Sequence, residues 1–429
     1  MILAGVSISL LLDENGIIKK SKDARREYGT SKTNEQEQMD NAGDWIDEAV
    51  TGKVTLAKVP VGTKASKNGT INGEEGNSNN PTIPKNYIPI DTATSTWGDG
   101  SNAPSQDSVK HGLVIKDEKN NEWVWVPVDS ATLATMYEES SDEKTLCGTT
   151  GETAVKTKLY SKTMTIGTDS NKETISRTTP GTSTSDSFRE PDLVVGSNGA
   201  SNDAKDTYYK TILGETGTKE QLAQIFVDEY KAMIESVSKY GGFYIGRYEL
   251  SEEGVQKDKA TLTNTNWYNL YKKCKELNAS DKVETRMIWG CQWDVTMNWL
   301  ISSGAKTSNE VNKDSSSWGN YNNTLVKADD GTTEIKASGK STKLNTGKTT
   351  FTMANNIYDL AGNCYEWTQE AYLIGLRANR GGDYSSNGSY IPASIRIGSG
   401  PGGSSYDYIR FSSHFNNKGT LEESVRKRV

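Results

Sequence analysis

Apolar residues in this chain fall into islands, and the spacing of those islands constrains the fold more than any other feature. Hydrophobic side chains make up 33% of the 429 residues, and 40 glycines accompany long Asn, Ser and Thr tracts. One close-packed globule from end to end is therefore excluded; at about 150 residues per domain the length predicts about three units. The islands are a greasy N-terminal dodecamer, two β-rich runs after His111, one long periodic segment near residue 230, and scattered short runs beyond residue 355.

The clearest island is Lys219–Tyr240. Leu222, Ile225, Phe226, Tyr230, Met233, Ile234 and Val237 recur there at three-to-four residue intervals, which predicts an amphipathic helix, and Gly241-Gly242 predicts its end. GGFYIGRYEL follows as a strand, and residues 266–277 and 292–301 read as further helices. HGLVIKD and NEWVWVPV, parted by Glu118-Lys119-Asn120-Asn121, read as a hairpin. Residues 51–110 read as a polar linker, 129–218 and 302–350 as loop-rich insertions, and 418–429 as a charged tail.

Charge and composition narrow the chemistry. A formal net charge of -7 opposes a nucleic-acid partner, which requires a basic face. Two histidines, His111 and His414, supply neither a His-rich metal centre nor a histidine-driven hydrolase. Cys147, Cys274, Cys291 and Cys364 stand far apart without zinc-ligand spacing, and are either buried free thiols or include one disulfide such as Cys274 with Cys291. These features favour binding over catalysis.

The N-terminal sequence ILAGVSISLLLDENGIIKKSKDARREY begins with an apolar run too short to span a bilayer and continues as a charged, amphipathic pattern. It resembles the helix of Gram-positive type IV pilin-like proteins with the leader truncated. That resemblance implies residues 1–50 as an anchoring helix that meets other pilin subunits. A soluble amphipathic helix packed on its own domain is the alternative.

WVWVPV, GGFYIGRYEL, RMIWGCQWDVTMNWL, NNIYDLAGNCYEWT, RANRGGDYS and YIRF occur in an order that resembles the C-type-lectin-like domain of the formylglycine-generating enzyme superfamily. The implied fold class is α+β, a C-type-lectin-like domain over 111–417 preceded by the pilin-like helix. Around Gly362-Asn363 a tight turn can bring the Asp359 and Glu366 carboxylates together with backbone carbonyls, an oxygen set suited to calcium. The family's calcium site carries over to Asp359, Glu366 and the carbonyls of Gly362 and Cys364; a metal-free hydrogen-bonded turn is the other reading. No cysteine follows Cys364, so the reactive thiol pair of the oxidases is missing and no enzymatic activity is expected.

Residues 378–417 contain no Lys, Glu, Gln, Met or Trp and are dominated by Tyr, Ser, Gly, Asn and Asp. That palette suits a paratope, because Tyr gives rigid contact area and small polar residues adapt their hydrogen bonds. It equally suits a glycine-rich loop region closing a compact domain. RGGDYSSNGSYIPASIRIGSG…YIRF resembles the variable region, here 378–411, of targets of diversity-generating retroelements, in which adenine-directed mutagenesis of Asn codons yields such an alphabet. The resemblance implies ligand-facing positions Asp383, Tyr384, Ser385, Ser386, Asn387, Ser389, Tyr390, Ile395, Ile397, Ser399, Tyr406, Asp407 and Tyr408. Gly381, Gly382, Pro392, Arg396, Arg410 and Phe411 would form the frame. The implied protein is extracellular, displayed at a bacterial cell surface on a pilus or membrane anchor. It would bind a cell-surface protein, a glycan or a phage ligand. A static pilin-like structural subunit and a formylglycine-generating-type oxidase are the alternatives.

Overall fold

The computed structural model describes residues 77–84, 87–98, 104–182, 187–195, 208–277 and 283–402. The pilin-like helix, the tail, and Tyr406, Asp407, Tyr408, Arg410 and Phe411 lie outside the described residues.

The described chain opens with β1 (Tyr87–Ile90), α1 (Gln106–Lys110), β2 (Val114–Asp117) and β3 (Glu122–Pro127). Next come α2 (Ser130–Met136), β4 (Tyr137–Thr145), β5 (Lys156–Ser161), β6 (Met164–Ile166), β7 (Glu173–Ile175) and β8 (Phe188–Arg189). Three helices flank the next strand: α3 (Tyr209–Leu213) and α4 (Lys219–Tyr240), then β9 (Gly242–Gly246), then α5 (Trp267–Glu276). Helices α6 (Gly290–Ser302) and α7 (Ser308–Asn312) lead to β10 (Val326–Lys327), β11 (Glu334–Lys336), β12 (Met353–Ala354) and β13 (Ile357–Tyr358). The last strands are β14 (Glu366–Tyr372), β15 (Leu376–Arg380) and β16 (Arg396–Ser399).

Two four-stranded antiparallel sheets organise this mixture of helix and strand, in the orders β1-β2-β3-β9 and β16-β15-β14-β8. The expected hairpin is β2–β3, with Ile115 opposite Trp123. Its turn is closed by Asp117, whose Oδ1 accepts from the backbone N–H groups of Lys119 and Asn121, each at 2.9 Å. Helix α4 has the bounds that its apolar period predicts. Thr218 and Gln221 exchange capping hydrogen bonds at its start, and Gly241 ends it at φ +73°. Helix α6 is buried all round and packs on β3, β6 and β14, between the sheets.

Two expectations about connecting segments change. The linker reading fails over the described part of 77–110, because β1 pairs with β2 along its whole length and Ile83, Tyr87, Trp97 and Val109 enter the core. Four widely spaced apolar residues give no period to detect, yet all four join the hydrophobic core. The loop-rich segments 129–218 and 302–350 are likewise built into the domain: Val311, Trp318 and Tyr321 are buried, as are Met136, Met164 and Ile166. Lys336, in the second of them, is buried and donates to the carbonyls of Tyr321, Thr324 and Lys340 at 2.6, 2.8 and 3.2 Å. It thereby shapes the turn that carries Tyr321.

Candidate ligand-binding surface

Asn363, in the turn after Gly362, is the hub from which the candidate surface is built. Its backbone is left-handed (φ +59°), a conformation that Asn tolerates. Its Nδ2 donates to Glu249 Oε2 at 2.7 Å and to the Leu344 carbonyl at 3.2 Å, and its Oδ1 accepts from Asn320 Nδ2 and the Leu344 N–H. All its side-chain valences are thus spent on neighbouring segments. The carbonyl of Asn363 then receives the N–H of Tyr384 at 3.0 Å, which sets the start of the loop 383–395.

The rest of the loop hangs on atoms outside itself. Ser386 O accepts from Asn322 N at 2.8 Å, Gly388 N donates to Asn323 Oδ1 at 3.1 Å, and Gly388 O accepts from Ser315 N at 3.1 Å. Ala393 N donates to Ser315 Oγ at 2.9 Å, and Ala393 O accepts from Trp293 Nε1 at 3.1 Å. The two glycines before the loop sit at φ +83° and +84°, where a side chain is strained. A Cβ on Gly381 would also collide with the Glu366 carboxylate. Tyr321 Oη donates to the Gly381 carbonyl at 2.8 Å and locks that entry.

Against this frame the predicted ligand-facing residues separate into three groups. Ser385, Ser389 and Tyr390 are exposed, Tyr390 at 76%. Tyr384, Ser386, Asn387, Ile395 and Ile397 are half-buried. Asp383 and Ser399 are buried, so neither presents its side chain to solvent. The Asp383 carboxylate folds back on the loop and accepts from Ser385 N at 2.7 Å, Ser385 Oγ at 2.5 Å and Ser386 Oγ at 2.7 Å. Burial pushes its pKa up, opposed by these hydrogen bonds. Asn387 plays a similar local part, with Oδ1 accepting from Ser389 N and Oγ. Ile395 and Ile397 flank Arg396 at the sheet edge, and Ile397 stands opposite Asn379.

The proposed calcium ligands are close in sequence but engaged differently. Asp359 Oδ2 accepts from Thr346 Oγ1 at 3.1 Å and Gly347 N at 2.8 Å, which ties it to the preceding loop. Glu366 instead lies beside Gly381, and Gly362 N donates to the Gly381 carbonyl at 2.8 Å. Cys364 is a buried thiol. Among the described residues, no three His, Cys, Asp or Glu side chains gather as a metal-binding group. The turn itself is tied down by hydrogen bonds to Asn320, Leu344, Thr346 and Gly347.

Beneath the loop lies a buried ionic network that sequence reading missed. Arg177 Nη2 meets Asp294 Oδ2 at 2.6 Å and its Nε meets Glu370 Oε1 at 2.7 Å. Arg380 pairs with the other oxygen of Asp294. Arg396 reaches Glu370 at 3.4 Å and stacks on Phe188, 3.4 Å from the ring centroid. Glu190 completes the set and accepts from Ser161 Oγ and from the Gly290 and Cys291 N–H groups at the start of α6. Arg177 and Glu190 come from the expected loop-rich insertion, where no motif marks them. Only their convergence in space identifies them.

None of the four cysteines forms a disulfide; burial pushes the Cys147 thiol up to about 12, with Asp192 adding to the shift. No protein-family model matches the chain, and no curated protein matches it.

Proposed function

We propose that this chain is a surface-displayed binding protein whose variable face, within 378–411, meets a ligand through Tyr384, Ser385, Ser389 and Tyr390. The observation that carries the reading is the division of labour in the loop. Its backbone is held by Asn363, Ser315, Asn322, Asn323 and Trp293, while Tyr390 is exposed on it beside Ser385 and Ser389, whose hydroxyls also bond within the loop to Asp383 and Asn387. A rigid frame carrying replaceable side chains is the general logic of a recognition loop. Exposed Tyr beside small hydroxyl residues supplies contact area and adaptable hydrogen bonds.

The proposed partner is a cell-surface protein, glycan or phage structure, met outside the cell, and the binding involves no catalytic step. Diversification by a retroelement, the C-type-lectin-like fold and attachment through a pilin-like N-terminal helix belong to the same proposal and rest on the sequence resemblances. Calcium at Asp359, Gly362, Cys364 and Glu366 also rests on resemblance alone. A lower melting midpoint on chelation supports the metal, and identical midpoints remove it.

The test is a graft. Residues 384–390 are replaced by another Tyr/Ser/Asn/Gly set with Asp383, Asn387 and Gly388 retained, and the variants are compared for melting and for binding across a protein and glycan array. Altered specificity at unchanged midpoint supports the proposal; lost folding with no change in specificity overturns it. Diversification has its own test in the neighbouring DNA. A near-copy of the codons for 378–411, differing only at adenines and adjoining a reverse-transcriptase gene, is expected.

A further inference from the structure

The candidate loop carries a reactive pair of its own at Asn387-Gly388, the one Asn-Gly pair among the described residues. Asparagine is a thermally labile residue, and a following glycine, with no Cβ in the way, lets the backbone nitrogen reach the side-chain amide. In that reaction Gly388 N bonds to Asn387 Cγ and the Cγ–Nδ2 bond breaks. The Gly388 N–H proton leaves with the amide nitrogen as ammonia, and a succinimide ring remains. Water then opens the ring at either carbonyl, giving aspartate or isoaspartate.

The turn uses both residues. Asn387 Oδ1 accepts from Ser389 N at 3.0 Å and from Ser389 Oγ at 2.8 Å, and its backbone carbonyl accepts from the Tyr390 and Ile391 N–H groups, each at 3.0 Å. Gly388 has no room for a side chain, because a Cβ there would lie 2.6 Å from Ser316 Oγ and 2.7 Å from Ser316 N. Close packing thus demands the glycine that makes Asn387 labile. An isoaspartate would add a methylene to the backbone where the turn to Tyr390 begins, so the same event would move an exposed side chain of the loop.

The frame of the loop also holds the reaction back. The attacking group is the deprotonated nitrogen, so a base must first reach the Gly388 N–H. That group is donated to Asn323 Oδ1 at 3.1 Å, and Gly388 itself is buried. Asn323 is fixed in turn by its Nδ2, which donates to Ser316 Oγ at 2.7 Å, and the Gly388 carbonyl is held by Ser315 N at 3.1 Å. As in amide hydrogen exchange, a bonded N–H meets base only in an opened state, and the rate follows that state's population. We propose that Asn387 is a modification site of the loop, converting through a succinimide to aspartate and isoaspartate at a rate set by opening of the Gly388–Asn323 contact.

The experiment incubates the full chain in mildly alkaline buffer, folded and in urea. Residue 387 is followed by mass-spectrometric peptide mapping and by methylation with an isoaspartyl methyltransferase. In urea the peptide spanning 387 is expected to deamidate and to accept methyl groups; in the folded chain it is expected to do so at least about tenfold more slowly. Asn323→Ala is expected to speed the folded reaction about fivefold, the factor of one neutral hydrogen bond. Asn323→Asp, which keeps an acceptor for the Gly388 N–H, is expected to stay near the wild-type rate, with circular dichroism checking each fold. Absence of isoaspartate at 387 in the unfolded chain overturns the inference, as does a folded chain that reacts as fast as the unfolded one. Folded Asn323→Ala protein at the wild-type rate overturns it too. The wild-type comparison decides even if Asn323→Ala fails to fold, and none of these readouts depends on what the loop binds.

Discussion

The two four-stranded sheets are held together by different physics. In the β1-β2-β3-β9 sheet the buried side chains include Val114, Ile115, Val124 and Val126, and water exclusion does the work. In the β16-β15-β14-β8 sheet the buried residues include Arg189, Glu370, Arg377, Asn379 and Arg380. There every charge must find a partner, because an unpaired charge out of water is far more destabilising than a methyl-sized void. The second sheet carries the candidate binding loop, so its ionic wiring fixes the loop's base in one arrangement.

The sharpest way to break this comparison is to remove one carboxylate from the wired sheet. Asp294→Ala leaves Glu370 to serve Arg177 and Arg380 in place of the two carboxylates they share, and a loss of about 3–5 kcal/mol is expected in denaturant melts. The same group predicts an acid limb. Burial opposes its ionisation, but Arg380 and Arg177 outweigh burial and hold Asp294 below its ordinary 3.8. Its folded pKa is thus depressed, so its contribution is present above the unfolded value and is lost as pH falls through the folded one. Melts of the wild type and Asp294→Asn are therefore expected to converge toward low pH.

Gly381→Ala tests where the wired sheet hands over to the loop. A side chain at φ +83°, beside Glu366, is expected to destabilise by about 1–3 kcal/mol and to weaken ligand binding through the displaced loop. Ile115→Val, deep in the apolar sheet, is expected to lower stability by about 0.5–1.5 kcal/mol without touching binding. Tyr390→Ala should have the smallest effect on stability, within about 0.5 kcal/mol, and a large one on affinity. A midpoint shift as large as that of Ile115→Val would show that Tyr390 holds the loop instead of presenting it.

The same contrast explains how much was legible in the chain. Helix α4 and the β2–β3 hairpin have uninterrupted hydrophobic periods and strong turn residues, and both lie where those patterns place them. The turn at Gly362-Asn363 was also readable, because Gly and Asn are the residues that adopt left-handed backbone. Arg177, Glu190, Asp294 and Glu370 were not, since a lone charge looks the same whether it is hydrated or buried against a partner 193 positions away. In the candidate loop, Ser385, Ser389 and Tyr390 are exposed, but Asp383 is buried. A residue type that binds ligands in a loop is also the type that closes the loop's own turns.

Synthesis order gives the Arg177 contacts a further meaning. Arg177 leaves the ribosome well before its acceptor Glu370, 193 residues later. At 5–20 residues per second the interval is roughly 10–40 s. Asp294 can reach the guanidinium part-way through that interval, but its set of carboxylate partners is complete only once Glu370 has emerged. The wired sheet is therefore among the last parts to close, after helix α4 and the apolar sheet have emerged complete. A nascent chain interrupted before residue 370 would carry a formed apolar half and an open ionic one, and would display that difference to any protease that samples it.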